Sequence, residues 1–254
     1  MLSKSQISLL KSLQHKKDRV EHGLFLVEGH KSVLEFINSP YQIEAVYHTT
    51  SFDSKMLKLS RKINLTEISA NDLEKISSLK TPQGLVALIK MPSWPALDNA
   101  QLKQKFSIVL DGLQDPGNMG AIVRTADWFG IGQIICSTDT VDVYNPKVVQ
   151  ASMGSLARVK VFYADLAAIL PQIKLPIFGA MLNGESIYQT NFGPEGLILM
   201  GNEGNGVRRE IAQLISKAIT IPRIGHAESL NVGIATAIFC SEIARNRNNK
   251  LAAE

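Results

Sequence analysis

Strand and helix patterns alternate along most of this 254-residue chain, and the alternation predicts an α/β protein in two parts. The first part is a smaller N-terminal α/β region, and the second a larger C-terminal region on a mostly parallel sheet covered on both faces. Composition agrees: hydrophobic residues at 45% and charged residues at 20% are ordinary for a globular chain and exclude collagen-like, coiled-coil and wholly disordered classes. A polar stretch with two prolines and no clear period, MPSWPALDNAQ (Met91–Gln101), separates the parts. The expected limits are therefore residues 1–91 for the first region, 92–105 for a linker and 106–254 for the second.

In the first region Leu9, Leu10 and Leu13 line a short amphipathic helix with basic residues behind them. LFLVEG (Leu24–Gly29) reads as a strand entering a helix that runs through Phe36. Further strands are expected at Ile43–Tyr47 and Leu85–Ile89, and helices near Lys55–Arg61 and Asn71–Ser77.

The second region opens on FSIVLDGL (Phe106–Leu113), an aliphatic run that fits a strand buried on both faces. A turn at Asp115–Gly117 leads into a helix from about Met119 to Phe129, stopped by Gly130. IGQIICS supplies the next strand. Others are expected at Val159–Tyr163, Ile177–Leu182, Leu197–Gly201 and Ala218–Pro222, with helices near Pro146–Met153, Leu166–Ile173 and Val207–Ile215. A final helix, apolar almost all round from Leu230 to Phe239, is expected to be buried. In parallel sheets of this kind ligands bind beyond the C-terminal ends of the strands.

Several functional classes drop out. The longest mostly apolar stretch, Leu230–Cys240, is too short to span a bilayer. The basic N-terminus lacks the apolar core and cleavage site of a secretory signal, so a cytoplasmic location is expected. Cys136 and Cys240 sit far apart in apolar settings and read as buried thiols, with no disulfide framework and no metal site. Residues 1–62 carry 10 basic and 6 acidic side chains, a surplus that accounts for the whole net charge of +4. That bias is compatible with a polyanionic partner or with a solvated surface.

Three segments of the second region put glycines and polar residues where a strand ends. In LDGLQDPGNMGAIVRTADWFG (Leu110–Gly130), Asn118 stands at a helix N-terminus, where it could serve as a cap, and Arg124 projects from the same helix. In LILMGNEGNGV (Leu197–Val207), glycines 201, 204 and 206 permit a tight connection or close approach to a ligand, and Glu203 could simply stabilise a helix start. In ITIPRIGHAESLNVGIATAIFCSEIARNR (Ile219–Arg247), Ser229 could cap the last helix, with Asn231 in its first turn. Neither a dinucleotide fingerprint nor a P-loop is present, which argues against a Rossmann-type oxidoreductase.

Together, in this order, the segments closely resemble the three motifs of the SpoU/TrmH family of RNA ribose 2′-O-methyltransferases, members of the knotted SPOUT superfamily. The matching positions are Asn118 and Arg124, then Gly201, Glu203 and Gly206, then Pro222, Glu228, Ser229, Leu230 and Asn231. LKSLQHKKDRVEHGLFLVEGHKSV, at the start of the chain, is similar to the RNA-substrate-binding domain that many members carry.

The resemblance implies a C-terminal SPOUT domain with a deep trefoil knot, usually paired as a homodimer. It implies S-adenosylmethionine as cofactor, held near Leu182, Met200, Gly201, Gly206, Ile221 and Leu230, with Arg124, Asn118, Glu203, Ser229 and Asn231 as catalytic candidates. The substrate is structured RNA, ribosomal RNA before transfer RNA, and Lys11, Lys16, Lys17 and Arg19 are candidate phosphate contacts. Family proposals make the arginine the general base. A guanidinium with a pKa above ~12 stays charged, so a clamp on phosphate and a partner for a developing 2′ alkoxide suit it better. A substrate phosphate, Ser229 or water could then take the proton. A transfer-RNA enzyme, and a non-catalytic RNA-binding protein acting in ribosome assembly, are the alternatives.

Overall fold

The computed structural model describes residues 2–52 and 63–251, with side chains to residue 247, so the helix expected near Lys55–Arg61 lies outside the described residues. The chain divides into two compact units, Met1–Ser93 with Asp142–Arg158, and Trp94–Val141 with Val159–Glu254.

The first unit begins with α1 (Lys4–Ser12), started by a capping box in which Ser3 and Gln6 exchange backbone and side-chain hydrogen bonds. α2 (Lys16–His22), β1 (Leu24–Glu28), α3 (His30–Ile37), β2 (Ile43–His48), β3 (Asn64–Glu67), α4 (Ala70–Ile76) and β4 (Leu85–Lys90) follow. The sheet order is β1-β4-β2-β3, with β4 antiparallel to both neighbours and β3 parallel to β2. The sequence reading omits β3, an edge strand whose four residues NLTE are mostly exposed and carry no apolar alternation.

Residues Asp142–Arg158 also pack in this unit, although the sequence reading placed them with the second. α6 (Pro146–Ala151) starts from an Asn145 cap with proline at the first helical position. The Tyr144 ring lies 4.6 Å from that of Phe25, and the Tyr41 hydroxyl donates to Leu156 O at 3.4 Å. Chain order conceals such an excursion because its anchors are aromatic packing partners more than one hundred residues away.

Arg19 departs from the expectation of a phosphate contact. Its side chain is 2% exposed and its guanidinium is saturated: Nε donates to Asp142 Oδ2 at 3.0 Å, Nη2 to the same oxygen at 2.5 Å, and Nη1 to the carbonyls of Leu13 and Gln14 at 2.9 Å. No surface is left for RNA. Lys11, Lys16 and Lys17 are exposed, and none has an ion pair among the described residues. Replacing all three by Gln is expected to reduce the slope of log affinity for RNA against log salt by up to about 3 if each meets a phosphate, readable by filter binding across a salt series.

The second unit contains β5 (Phe106–Leu110), α5 (Pro116–Trp128), β6 (Gln133–Ser137), β7 (Lys160–Ala164), α7 (Leu166–Ile169), β8 (Ile177–Ser186), β9 (Gly196–Met200), α8 (Arg209–Ala212), β10 (Lys217–Thr220) and α9 (Val232–Leu251). Its sheet is parallel throughout, in the order β10-β8-β9-β5-β6-β7. β5, β6 and β9 are buried at every residue, as strands covered on both faces must be. The stretch before β5 packs too: Leu97 and Leu102 join the cluster of Val109, Ile135 and Leu197.

Two features prepare the site. β8 pairs with β9 only over Ile177–Gly179, and against β10 its partner jumps from Gly179 to Glu185 between Ala218 and Ile219, so residues 180–184 swing outward. A Cβ on Gly184 would lie 2.5 Å from Ala218 O, so only glycine closes that excursion. α9 starts beyond the β10 edge and packs on α5 and β9. It is not buried all round. Val232, Thr236, Phe239 and Cys240 are buried, whereas Leu230 and Ile234 are 48% and 55% exposed. The polar Thr236, which donates to Val232 O at 2.7 Å, faces inward instead of a larger apolar group.

Candidate active site

The loops that follow β5, β9 and β10 carry the three motif segments at the C-terminal end of the sheet. Asp115 caps α5 by accepting from Asn118 N at 2.7 Å, with Pro116 at the first helical position. Asn118 is thus in the first turn of α5 and not its cap, and its side chain is free to reach elsewhere.

Asn118 Nδ2 donates to Glu203 Oε1 at 2.8 Å, and Asn118 Oδ1 accepts from Asn231 Nδ2 at 2.9 Å. Asn231 Oδ1 in turn accepts from Gly233 N at 2.9 Å and Ile234 N at 3.2 Å, so Asn231 caps α9, the role the sequence suggested for Ser229. Every amide in this chain has a forced orientation, because a carboxylate at one end only accepts and backbone N–H groups at the other only donate. One residue from each motif segment is therefore held in a single directed network. Gly233 contributes by absence: a Cβ there would be 3.2 Å from Asn231 Oδ1 and 3.6 Å from Ala121 Cβ.

The loop after β9 is a closed arc. Asn202 and Gly206 exchange backbone hydrogen bonds at 2.9 Å, and Asn202 Oδ1 accepts from Gly204 N and Asn205 N. A Cβ on Gly201 would stand 2.3 Å from Gly206 C, while Gly206 has φ +67°, so both positions call for glycine. Met200 is buried at the end of β9 and its carbonyl accepts from Asp111 N at 2.9 Å. Leu182, on the outward swing of β8, is 74% exposed, and its carbonyl accepts from Thr220 Oγ1 at 3.0 Å. Ile221 is half-buried after β10.

Arg124 and Ser229 are exposed, and neither side chain has a hydrogen bond or ion pair among the described residues. The structure therefore joins Asn118, Glu203 and Asn231 directly and leaves Arg124 and Ser229 pointing to solvent. It also adds residues that sequence reading missed. Asp111 is fully buried and pairs with Arg208, and Gly112 is tied to both Ser137 and Asn202. The Ser137 hydroxyl, and then the charge of Arg208, hold the Asp139 carboxyl below the usual carboxylate range. The hydrogen bond to Asp111 pushes the Arg208 guanidinium above its ordinary value. The one available signal was an aspartate directly following a mostly apolar buried strand, a costly place for a charge without a partner.

Because the folded Asp139 titrates below its unfolded value, its contribution to stability is present above the unfolded pKa and disappears as pH falls through the folded one. Asp139 is half-exposed, so Asp139→Asn is expected to remove only about 0.2–1 kcal/mol at neutral pH, a difference that in urea denaturation shrinks as pH falls below the ordinary carboxylate range.

A test of the directed network follows. Asn118→Asp leaves α5 undamaged, since a carboxylate in a first turn is favoured, but sets like charges against each other at Glu203. Thermal unfolding is expected to change little while any activity of the site falls by about tenfold or more, and a matching loss of both would make Asn118 a purely structural residue.

Fold and loops together define a ligand-binding α/β domain, with its site beyond the strand ends, joined to a smaller mixed-sheet unit. The chain belongs to the SpoU rRNA Methylase family, whose model matches residues 105–241; residues 4–87 match the MRM3-like substrate binding domain. Among curated relatives, the 23S rRNA (guanosine(2553)-2′-O)-methyltransferase RlmP of Bacillus subtilis is 29% identical over 90% of this chain and 92% of its own. A putative RNA methyltransferase of the TrmH family from Porphyromonas gingivalis superposes with a TM-score of 0.87 at 38% identity, covering 96% of this chain and 99% of that one. An AdoMet-bound rRNA methyltransferase from Sinorhizobium meliloti superposes with a TM-score of 0.84 at 26% identity, over 97% of this chain and 96% of that one.

Proposed function

We propose that this chain is an S-adenosylmethionine-dependent methyltransferase that modifies a ribose 2′-oxygen in ribosomal RNA. The observation that carries the reading is the Glu203–Asn118–Asn231 network, which brings the three SpoU motif segments to one place beyond the sheet.

The residues present fit the cofactor. An adenosine needs apolar contact and main-chain hydrogen bonds; Leu182 and Leu230 are exposed apolar side chains, and residues 201–206 supply a glycine-rich backbone. Among the described residues, no hydrogen bond engages the main-chain N–H groups from Arg223 to Leu230, which leaves that backbone free for a ligand. S-adenosylmethionine supplies a methyl group on a positively charged sulfur.

The protein's own part is to position and to neutralise. Arg124, unpaired and exposed, is free to clamp an RNA phosphate and to stabilise negative charge that builds on the 2′-oxygen. Asn118 and Asn231 hold the N-terminal ends of α5 and α9 in register, and Glu203 anchors the arc after β9 to that pair. Ser229, whose hydroxyl has no partner among the described residues, joins water and a substrate phosphate as the acceptors we assign for the proton of the 2′-hydroxyl. The unit containing residues 1–91 delivers the RNA, with Lys11, Lys16 and Lys17 toward phosphates.

The return of α9 from the β10 edge to α5 and β9 supports a trefoil passage, and the exposed Leu230, Ile234 and Trp128 support a homodimer through this domain. The test is transfer of labelled methyl from S-adenosylmethionine to purified ribosomal and transfer RNA, followed by nuclease digestion. Label in one 2′-O-methyl nucleoside of ribosomal RNA supports the reading, and label only in transfer RNA or in neither RNA overturns it.

A further inference from the structure

A buried carboxylate fixes the arc that carries Glu203. Asp111 directly follows β5 with its side chain wholly inaccessible, and both oxygens are occupied by one residue: Oδ2 accepts from Arg208 N at 2.8 Å, and Oδ1 from Arg208 Nε at 2.7 Å and Nη2 at 2.5 Å. Such a charge is tolerated only with a close, well-aligned partner. Because the main-chain N–H is engaged together with the guanidinium, the pair fixes the backbone of Arg208 as well as its side chain.

The other end of the arc is tied to the neighbouring residue. Asn202 Nδ2 donates to Gly112 O at 2.7 Å, and Gly112 N donates to Ser137 Oγ at 2.8 Å. Ser137 and Thr140 share a hydrogen bond at 2.9 Å, and Thr140 Oγ1 donates to Leu110 O at 3.3 Å. The dipeptide Asp111–Gly112 is thereby fastened to β6 and grips residues 202 and 208, leaving Glu203 in the short span between two fixed points.

We propose that Asp111 and Arg208 are positioning residues, a clamp that holds the arc after β9 in the conformation that receives the methyl donor and aims Glu203 at Asn118. This rests on the reading that residues 201–206 contact S-adenosylmethionine. The clamp acts before the donor binds, by removing alternative conformations of a glycine-rich segment that would otherwise be ordered at the expense of affinity. Asp139, half-exposed and 3.7 Å from Arg208, is not part of it.

Calorimetry with S-adenosylmethionine and hydrogen exchange on the ligand-free full chain test the clamp together. Arg208→Ala is expected to weaken donor binding about 10- to 100-fold with RNA affinity unchanged, to speed exchange of the Gly204–Gly206 amides, and to be partly rescued in Arg208→Lys. Asp139→Asn should stay within about twofold of the parent in both measurements. Arg208→Ala with parental donor affinity overturns the proposal. So does an equal loss of donor binding, RNA binding and thermal stability that Arg208→Lys does not restore. If the parent protein binds no S-adenosylmethionine, the functional reading fails, and the clamp is judged by exchange alone: rates at Gly204–Gly206 equal in parent and Arg208→Ala overturn it.

Discussion

Replacing Arg124 by Ala is expected to lower methyl transfer by about 10²–10³-fold while S-adenosylmethionine affinity stays within about twofold. Arg124 stands on α5, its side chain exposed and with no hydrogen bond or ion pair among the described residues, so the folded protein does not need that side chain. A permanent cation kept free of carboxylates is suited to an anionic group brought by the substrate. Arg124→Lys keeps the charge and loses the planar two-pronged donor, so a large part of the defect should persist. Single-turnover rates at saturating donor and RNA, compared with calorimetric donor affinity, separate these effects. Normal turnover in Arg124→Lys would refute the clamp on phosphate.

The second large effect is on stability. Arg19→Ala is expected to destabilise the first unit by about 3–5 kcal/mol, because it strands Asp142 in a nearly dry site and leaves the carbonyls of Leu13 and Gln14 without their donor. A double change that removes both charges, Arg19→Met with Asp142→Leu, should recover most of that loss. Urea denaturation followed in the first unit measures it. At a temperature where the variant is folded, its salt dependence of RNA binding should match the parent, whereas a shallower slope would restore Arg19 as a phosphate contact.

Arg19 illustrates where sequence reading stops. In HKKDRV it stands beside two lysines and reads as one more surface cation; its partner is 123 residues away, on a segment that chain order assigns elsewhere. The parallel strands were legible because burial on both faces writes short continuous apolar runs such as IVL and LILM. β3 was not, since an exposed edge leaves no such trace. At the site, the motif residues could be named from their order along the chain, and Asn118, Glu203 and Asn231 meet through hydrogen bonds. The capping roles were exchanged between neighbours, with Asp115 for Asn118 and Asn231 for Ser229, because Asp, Asn and Ser are nearly interchangeable as caps in sequence. For the Asp111–Arg208 pair the sequence offered only an aspartate directly after a buried strand; that it is dry, and that Arg208 is its partner, only packing reveals.

One measurement bears on the whole account: a 2′-O-methyl map of ribosomal RNA from cells lacking this gene, complemented by the parent chain or by Arg124→Ala. Loss of methylation at a single ribose, restored by the parent and not by Arg124→Ala, is the predicted result. A map that does not change when the gene is removed, or that Arg124→Ala restores in full, would contradict it.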